Sequence, residues 1–415
     1  VEYAIRAALA LQCEINAHSV FARKNYFYPD LPKAFQITQH DKPLAENGFV
    51  EYYLDGKIVQ TPITRLHLEE EAGKSIHSGD SIVGSDYTFI DYNRAGIPLI
   101  EIVTAPDLTS PAQARAFLEQ LRLVLQYAGV SDCKMENGSL RCDANISIEQ
   151  NGQLGQKVEI KNLNSFRGLE RALTYEAERQ ARLLSQGEAI LPETRTWNER
   201  AQRTVKMRLK AGAPDYRYFP EPDLPPLELE QVWIREIAQS LPELPLARME
   251  RFQKELGLSQ YDAGVLVRSP ELSDVFEETV KLGHDPKLVV NWVTGEFSRL
   301  ARQGQLISPV QLGELLELIG SGEISNSQGK TVLEELFAHG GSAREIIERR
   351  GFTLIQDESV LQNAVEQVLC KHHGLVDRYL AGEERLFGFF MGQVMAQTRG
   401  QAEPGVVKKL LVSLL

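Results

Sequence analysis

Cysteine is scarce in this chain of 415 residues: Cys13, Cys133, Cys142 and Cys370 lie far apart, and no Cys-x-x-Cys pair occurs. That spacing argues against a cysteine zinc site and against a disulfide framework. Long apolar runs are lacking too. No stretch of about eighteen apolar residues is present, so no membrane-spanning helix is expected. No secretory leader is expected in the first residues. Val1 to Leu11 read as an amphipathic helix already in progress, with no basic segment and no small-residue cleavage site. Reduced thiols in a cytoplasmic protein, or in an organellar matrix or stroma, are therefore expected. There is no starting methionine, and the natural N-terminus is expected to be missing. Positive charge is in deficit as well. The formal net charge of −12 argues against sequence-independent nucleic-acid binding over the whole surface. From Ile324 onward there are 10 Lys and Arg against 11 Asp and Glu, a net of −1, so the remaining −11 lies before it. A near-neutral C-terminal module has room for a local basic patch.

What is there suffices for two or three globular domains, with 43% hydrophobic residues to build cores. From Phe21 to about Leu227 short alternating runs and turn residues dominate. The run Phe49–Leu54, an Asp55-Gly56 turn and Lys57–Val59 predict a hairpin. Ser110 followed by Pro111 predicts a helix start, with Leu118, Leu121, Val124 and Leu125 as its apolar stripe. Leu169–Leu184 reads as a second helix carrying many charges. This part is expected to be mixed, a largely antiparallel sheet with helices against it. The run Pro220–Pro226 breaks the chain, and beyond it helical spacing prevails. Gly320–Gly329 is a second hinge candidate, followed by compact helices of which Ser359–His372 has the cleanest stripe.

The stretch Arg141–Ser165 carries the strongest chemical signal. Cys142, Ala144, Ile146 and Ile148 take one parity of a strand, and Arg141, Asp143, Asn145 and Ser147 the other. Val158 and Ile160 alternate in the same way with Lys157, Glu159 and Lys161. Such a polar face suits a sheet that grips a metal and a phosphate; a merely solvated face is the alternative. Arg65, His67 and Glu69 share one face if their segment is a strand, and His with carboxylates can serve Mg²⁺ or Mn²⁺. The run Glu69–Glu71 also reads as a solvated face. Glu101 is expected on the buried side of the apolar strand Ile97–Val103, where a carboxylate is expensive unless paired or metal-bound. Arg23–Lys33 mixes cations with aromatics, as phosphate- or base-binding loops do. Gly73-Lys74-Ser75 lacks the preceding glycine of a P-loop and is rejected as one. Carboxylates, a histidine and cations in one module suit metal-assisted phosphoryl transfer.

Several motifs together resemble a known family. They are Arg23–Asp30 (Arg-Lys-Asn-Tyr-Phe-Tyr-Pro-Asp), Arg65–Glu70, Asp91–Ile102, Gly138–Asn145, Glu159–Ser165 and Asp215–Asp223, with Ile324–Lys330, Gly392–Met395 and Gly400–Ala402 in the tail. They are similar to those of the B subunit of the aspartyl/glutamyl-tRNA(Asn/Gln) amidotransferase, over essentially the whole chain. The resemblance implies an α+β protein of three parts. Residues 1–228 would form a catalytic cradle of glutamine-synthetase-like fold, 229–323 a helical domain and 324–415 a small helical tail that binds tRNA. It implies activation of the side-chain carboxylate of misacylated Glu-tRNA(Gln) or Asp-tRNA(Asn) by ATP and Mg²⁺. Ammonia from a glutaminase A subunit would follow, with a small C subunit completing a heterotrimer. The family begins with a Gly-x-Glu-x-His strand, and this chain starts after that motif, so the cradle is expected to be truncated.

On that basis Glu70, Glu101 and Asp143 are the expected catalytic residues and Mg²⁺ ligands. Arg141, Asn145, Glu159 and Lys161 are expected to bind the nucleotide, and Lys24 and Lys33 to line the ammonia path. Lys371, Arg399, Lys408 and Lys409 are expected to meet tRNA phosphates. The rival reading is a non-catalytic scaffold that presents tRNA to a partner, which would need cations rather than Glu101 and Asp143. The archaeal-type relative specific for Glu-tRNA(Gln) carries an extra inserted domain, for which there is no room here.

Overall fold

The computed structural model describes residues 1–78, 85–209, 215–301, 307–355, 358–398 and 400–415. It is mixed α+β, and its contacts divide the chain once, into Val1–Ala247 and Arg248–Leu415.

The first unit is organised by the predicted hairpin. Strands Ala45–Leu54 and Lys57–Glu70 pair antiparallel down to Leu54 opposite Lys57. Asp55 and Gly56 close the turn with φ of 49° and 77°, the positive pair that matches the right-handed twist of the strands. Glu14–Ile15 flanks one side and Pro98–Thr104 the other, both antiparallel. One face of this sheet packs Val50, Tyr52, Ile63 and Leu66 against Phe117, Leu118, Leu121 and Val124 of helix Pro111–Tyr127. Burying such a side chain contributes about 1.5–3 kcal/mol, so this face fixes where the helix lies. Its start is as expected: the Ser110 hydroxyl accepts from Gln113 N at 3.1 Å, with Pro111 in the first turn.

A second sheet orders Ala144–Ile146, Val158–Lys161, Glu193–Asn198 and Arg203–Leu209. Its one parallel step, from Val158–Lys161 to Glu193–Asn198, requires a crossover, which helix Phe166–Ser185 supplies. The expected alternation is present: Val158 and Ile160 are buried in the core, and Glu159 and Lys161 take the opposite face. A small sheet of Phe219–Pro220, Ala22–Asn25 and Phe35–Thr38 completes the surroundings of the site. Helix Gln231–Ser240, expected beyond the first boundary, packs on helix Glu2–Ala10 within this unit.

The second unit is helical. The hinge expected at Gly320–Gly329 is not what forms there. Ser325 and Gln328 make a capping box that starts helix Asn326–His339. Gly329 lies inside that helix, where a Cβ would come within 2.6 Å of Ile319 and 3.1 Å of Trp292. The glycine thus serves close packing rather than bending. Leu361, Val365, Val368, Phe390, Val394, Val407 and Leu411 form a separate apolar core further on. Among the described residues no helix is long and apolar enough to cross a membrane.

Candidate active site

Past an irregularity between Ile63 and Arg65, strand Lys57–Glu70 alternates cleanly. Leu66 and Leu68 enter the core, which turns Arg65, His67 and Glu69 to the other face. Edge strand Pro98–Thr104 sets Glu101 directly opposite His67. The His67 Nε2 then lies 3.6 Å from Glu101 Oε2 and 4.0 Å from Glu69 Oε2. These separations exceed a good hydrogen bond and fit the edges of one coordination shell. The imidazole is 2% exposed, the Glu101 side chain 46%, so the cluster has a buried floor and an open side. Glu101 therefore does not lie on the buried side, as the sequence suggested, because Ile100 and Ile102 take the core-facing parity of its strand.

Burial pushes the His67 imidazole down to about 4, only partly opposed by Glu101. Burial, then the neighbouring Glu101 carboxylate, pushes Glu69 up to about 8. A neutral imidazole has a free lone pair, as a metal ligand must. Among the described residues neither Glu69 nor Glu101 ion-pairs with a lysine or arginine, although Lys24 and Arg65 stand near enough to oppose the Glu69 shift. Two such carboxyl groups hold a proton between them or a positive ion. The ligand atoms of His67, Glu69 and Glu101 lie within 4.8 Å of one another, the one such group among the described residues. Geometry and protonation both fit a divalent cation. The His67 Nδ1 is buried without a partner among the described residues.

Cations and aromatics stand around the cluster. The Lys24 ammonium lies 4.9 Å from the ring centre of Tyr216 and 5.7 Å from that of Tyr26. His40 stacks on Tyr218 at 3.9 Å. The Tyr26 phenol is pushed up to about 12, by burial first and then by Asp30 and Glu69.

The polar face of the second sheet is the other candidate region. Lys161 Nζ donates to Asp143 Oδ2 at 2.9 Å and lies 3.4 Å from Glu159 Oε1. Thr194 donates to the other Glu159 oxygen at 3.0 Å, and Asn145 sits opposite Glu159. Burial pulls the Lys161 ammonium down, but Asp143 and Glu159 together outweigh it and hold it charged. Glu71, 4% exposed, ties the two regions together. It ion-pairs with Arg94 at 2.8 Å and with Arg141, while Arg94 also donates to the carbonyl of Gly138 at 3.0 Å.

Comparison with known proteins decides the family. A family model described as the GatB/GatE catalytic domain matches residues 1–235, and one described as the GatB domain matches residues 274–415. The chain belongs to the GatB/GatE family. The aspartyl/glutamyl-tRNA(Asn/Gln) amidotransferase B subunit of Carboxydothermus hydrogenoformans is 48% identical over 99% of this chain and 87% of its own length. The same subunit of Persephonella marina is 49% identical over 100% of this chain and 88% of its own length. That of Halalkalibacterium halodurans is 49% identical, with 99% and 87% covered. The resemblance read from the motifs thus holds across the chain, and His67, Glu69 and Glu101 fall inside the catalytic-domain match of this GatB/GatE member.

The ligand set expected from the sequence, Glu70, Glu101 and Asp143, is not the set brought together; of the three, only Glu101 joins His67. Glu70 has the parity of Leu66 and Leu68 and so points to the other sheet face. There it pairs with Lys33 and accepts from Ile37 N at 2.9 Å. Asp143 is taken up by Lys161, and Arg141, expected at the nucleotide, pairs with Glu71. Asn145, Glu159 and Lys161 do share one face. Of the two lysines expected on the ammonia path, Lys33 is engaged with Glu70, and Lys24 stands by the aromatics. Lys371, Lys408 and Lys409 are exposed, and Arg399 lies outside the described residues. The Glu71–Arg94–Arg141 junction had no signal in the sequence, since its partners are far apart along the chain.

Proposed function

We propose that this chain is the phosphorylating subunit of a tRNA-dependent amidotransferase. In this reading it activates the side-chain carboxylate of Glu or Asp misacylated on tRNA with the γ-phosphate of ATP. Ammonia from a partner glutaminase A subunit then displaces the phosphate, and a C subunit completes the assembly. The observation that carries the reading is the His67–Glu69–Glu101 cluster, an acidic, partly buried ligand set within the catalytic-domain match. His67, Glu69 and Glu101 would hold a divalent cation, Mg²⁺ by expectation, which when bound supplies charge neutralisation at phosphate oxygens.

The chain's own residues do the rest. Lys161, held charged and fixed by Asp143 and Glu159, offers donors to a phosphate oxygen, and Asn145 offers an amide beside it. Such positioning supplies most of the catalysis in phosphoryl transfer. Glu71, just past strand Lys57–Glu70, would tether the Arg141 segment that leads into strand Ala144–Ile146. Lys24 stays the candidate for guiding ammonia. The division into a cradle of glutamine-synthetase-like fold, a helical domain and a tRNA-binding tail using Lys371, Lys408 and Lys409 belongs to the same reading.

The test is reconstitution with the A and C subunits, with Glu-tRNA(Gln) or Asp-tRNA(Asn), glutamine and ATP. ATP-dependent formation of the amidated tRNA that is lost in Glu101→Gln is the expected result. Full activity in that variant would favour the scaffold reading, in which carboxylates at this face have no part.

A further inference from the structure

The segment Asp215–Tyr218 leads into strand Phe219–Pro220. Arg217 has φ of 46°, the left-handed region that non-glycine residues rarely occupy and that recurs at functional sites. The turn is enforced from outside. Asn25 N donates to the Tyr216 carbonyl at 3.0 Å, and the Asn25 side chain donates to the carbonyls of Tyr216 at 3.1 Å and Arg217 at 2.8 Å. The Asp215 carboxylate accepts from Arg217 N at 3.0 Å. Tyr216 is in edge contact with Tyr26, and Tyr218 stacks on His40, which fixes the turn on both flanks.

The side chain so presented has little internal work. It is 84% exposed, and among the described residues its guanidinium meets one carboxylate, that of Asp215, itself 83% exposed, at 4.0 Å. Exposed pairs of that kind contribute little. The turn lies beside the ligand cluster: Tyr218 is close enough to Glu101 and Glu69 for their charges to reach its phenol. Lys24, beside Asn25, lies over Tyr216. His40 follows Gln39, whose amide oxygen accepts from Leu68 N at 2.9 Å, between His67 and Glu69.

We propose that Arg217 is a substrate-binding residue, held out by the Asn25-locked turn to take a phosphate of a ligand entering the His67–Glu69–Glu101 site. This rests on the reading of that site given above. A planar guanidinium grips phosphate oxygens in pairs, and an acidic cluster needs cations at its rim before an anion can approach. The phosphate has two available sources, the nucleotide triphosphate or the tRNA backbone, which share the chemistry and separate by experiment.

In the full A–B–C complex, KM for ATP and KM for aminoacyl-tRNA are measured separately for the wild type, Arg217→Ala, Arg217→Lys and Asn25→Ala. Arg217→Ala raises one KM roughly 10- to 100-fold, the loss of a charge-assisted hydrogen bond. Arg217→Lys recovers part of it, and Asn25→Ala, which keeps the arginine but frees the turn, gives a smaller rise in the same KM. A rise for ATP alone assigns the nucleotide phosphate. A rise for tRNA alone, with a shallower salt dependence, assigns the RNA backbone. Unchanged values of both KM in Arg217→Ala, or a change confined to melting temperature, overturn the proposal. A wild-type complex without ATP-dependent amidation overturns instead the reading of the site.

Discussion

Two buried charge clusters lie against the sheets of the N-terminal unit. Between helix Phe166–Ser185 and the second sheet, Glu176 is fully buried and accepts from Arg179 at 2.9 and 2.7 Å, from Gln180 at 2.9 Å and from Thr204 at 2.8 Å. Glu193 takes Arg195 at 2.6 Å and Arg179 at 3.2 Å, and Arg195 reaches back to Glu176 at 3.4 Å. Two carboxylates thus face two guanidiniums, and the set is neutral and closed. At His67, Glu69 and Glu101 two carboxyl groups face an imidazole held neutral, and one side is open. Burial is common to both; charge balance is not. A balanced set fastens a helix to a sheet, and an unbalanced set with an opening awaits a ligand.

The comparison breaks if removing a charge from either cluster has the effect assigned to the other. Glu101→Gln is expected to lower amidation about 1,000-fold, on the scale of lost electrostatic stabilisation of a transition state, while melting stays within about 2 °C of wild type because the side chain is half exposed. Arg195→Met is expected to do the reverse. It leaves Glu193 and Glu176 under-compensated in the interior and costs about 3 kcal/mol in denaturant unfolding, with kcat of the folded fraction unchanged. Lys161→Met sharpens the picture between these extremes. A loss of activity of about tenfold with near-normal stability ties the second sheet's polar face to the site; wild-type kinetics would detach it.

The smallest effect is in pH, where the two clusters have opposite signs. Glu69 is raised to about 8, so without cation the folded chain keeps a proton the unfolded chain has lost, and this contribution falls as pH rises toward that value. His67 is lowered to about 4, so its contribution rises with pH up to about 6.5 and offsets Glu69 there. Between about pH 6.5 and 8 Glu69 acts alone, and melting temperature should decline. Saturating Mn²⁺ should flatten that decline. Burial alone would raise Glu176, but bonds from Arg179, Gln180 and Thr204 outweigh it and hold it low. Its contribution is present above about pH 4.3 and is lost only as pH falls further, so that limb should ignore Mn²⁺. Melting curves across pH, with and without Mn²⁺, check both limbs.

Much of the frame was legible in the sequence because it is local. The Asp55-Gly56 turn fixed the hairpin, Ser110-Pro111 the helix start, and the alternation at Val158–Lys161 the two faces of the second sheet. The site was legible only in part. His67 and Glu69 carried a signal through their shared parity, yet in a run of three glutamates the ligand is chosen by register. Pairing of His67 with Glu101 selects Glu69 and sends Glu70 to the other face. In the sequence Glu176 was one of many charges on a helix, since its partners Glu193, Arg195 and Thr204 lie far along the chain. Gly329 read as a hinge because sequence does not reveal that Ile319 and Trp292 press on it.

The central claim is that His67, Glu69 and Glu101 form a cation site. Titration of the assembled complex with Mn²⁺, following the free-ion electron paramagnetic resonance signal in the absence of nucleotide, tests it most directly. The account predicts about one bound ion per chain in the wild type, from the one ligand group among the described residues, and its loss in the Glu69→Gln, Glu101→Gln double variant with the fold intact. Equal Mn²⁺ binding by wild type and double variant would contradict it.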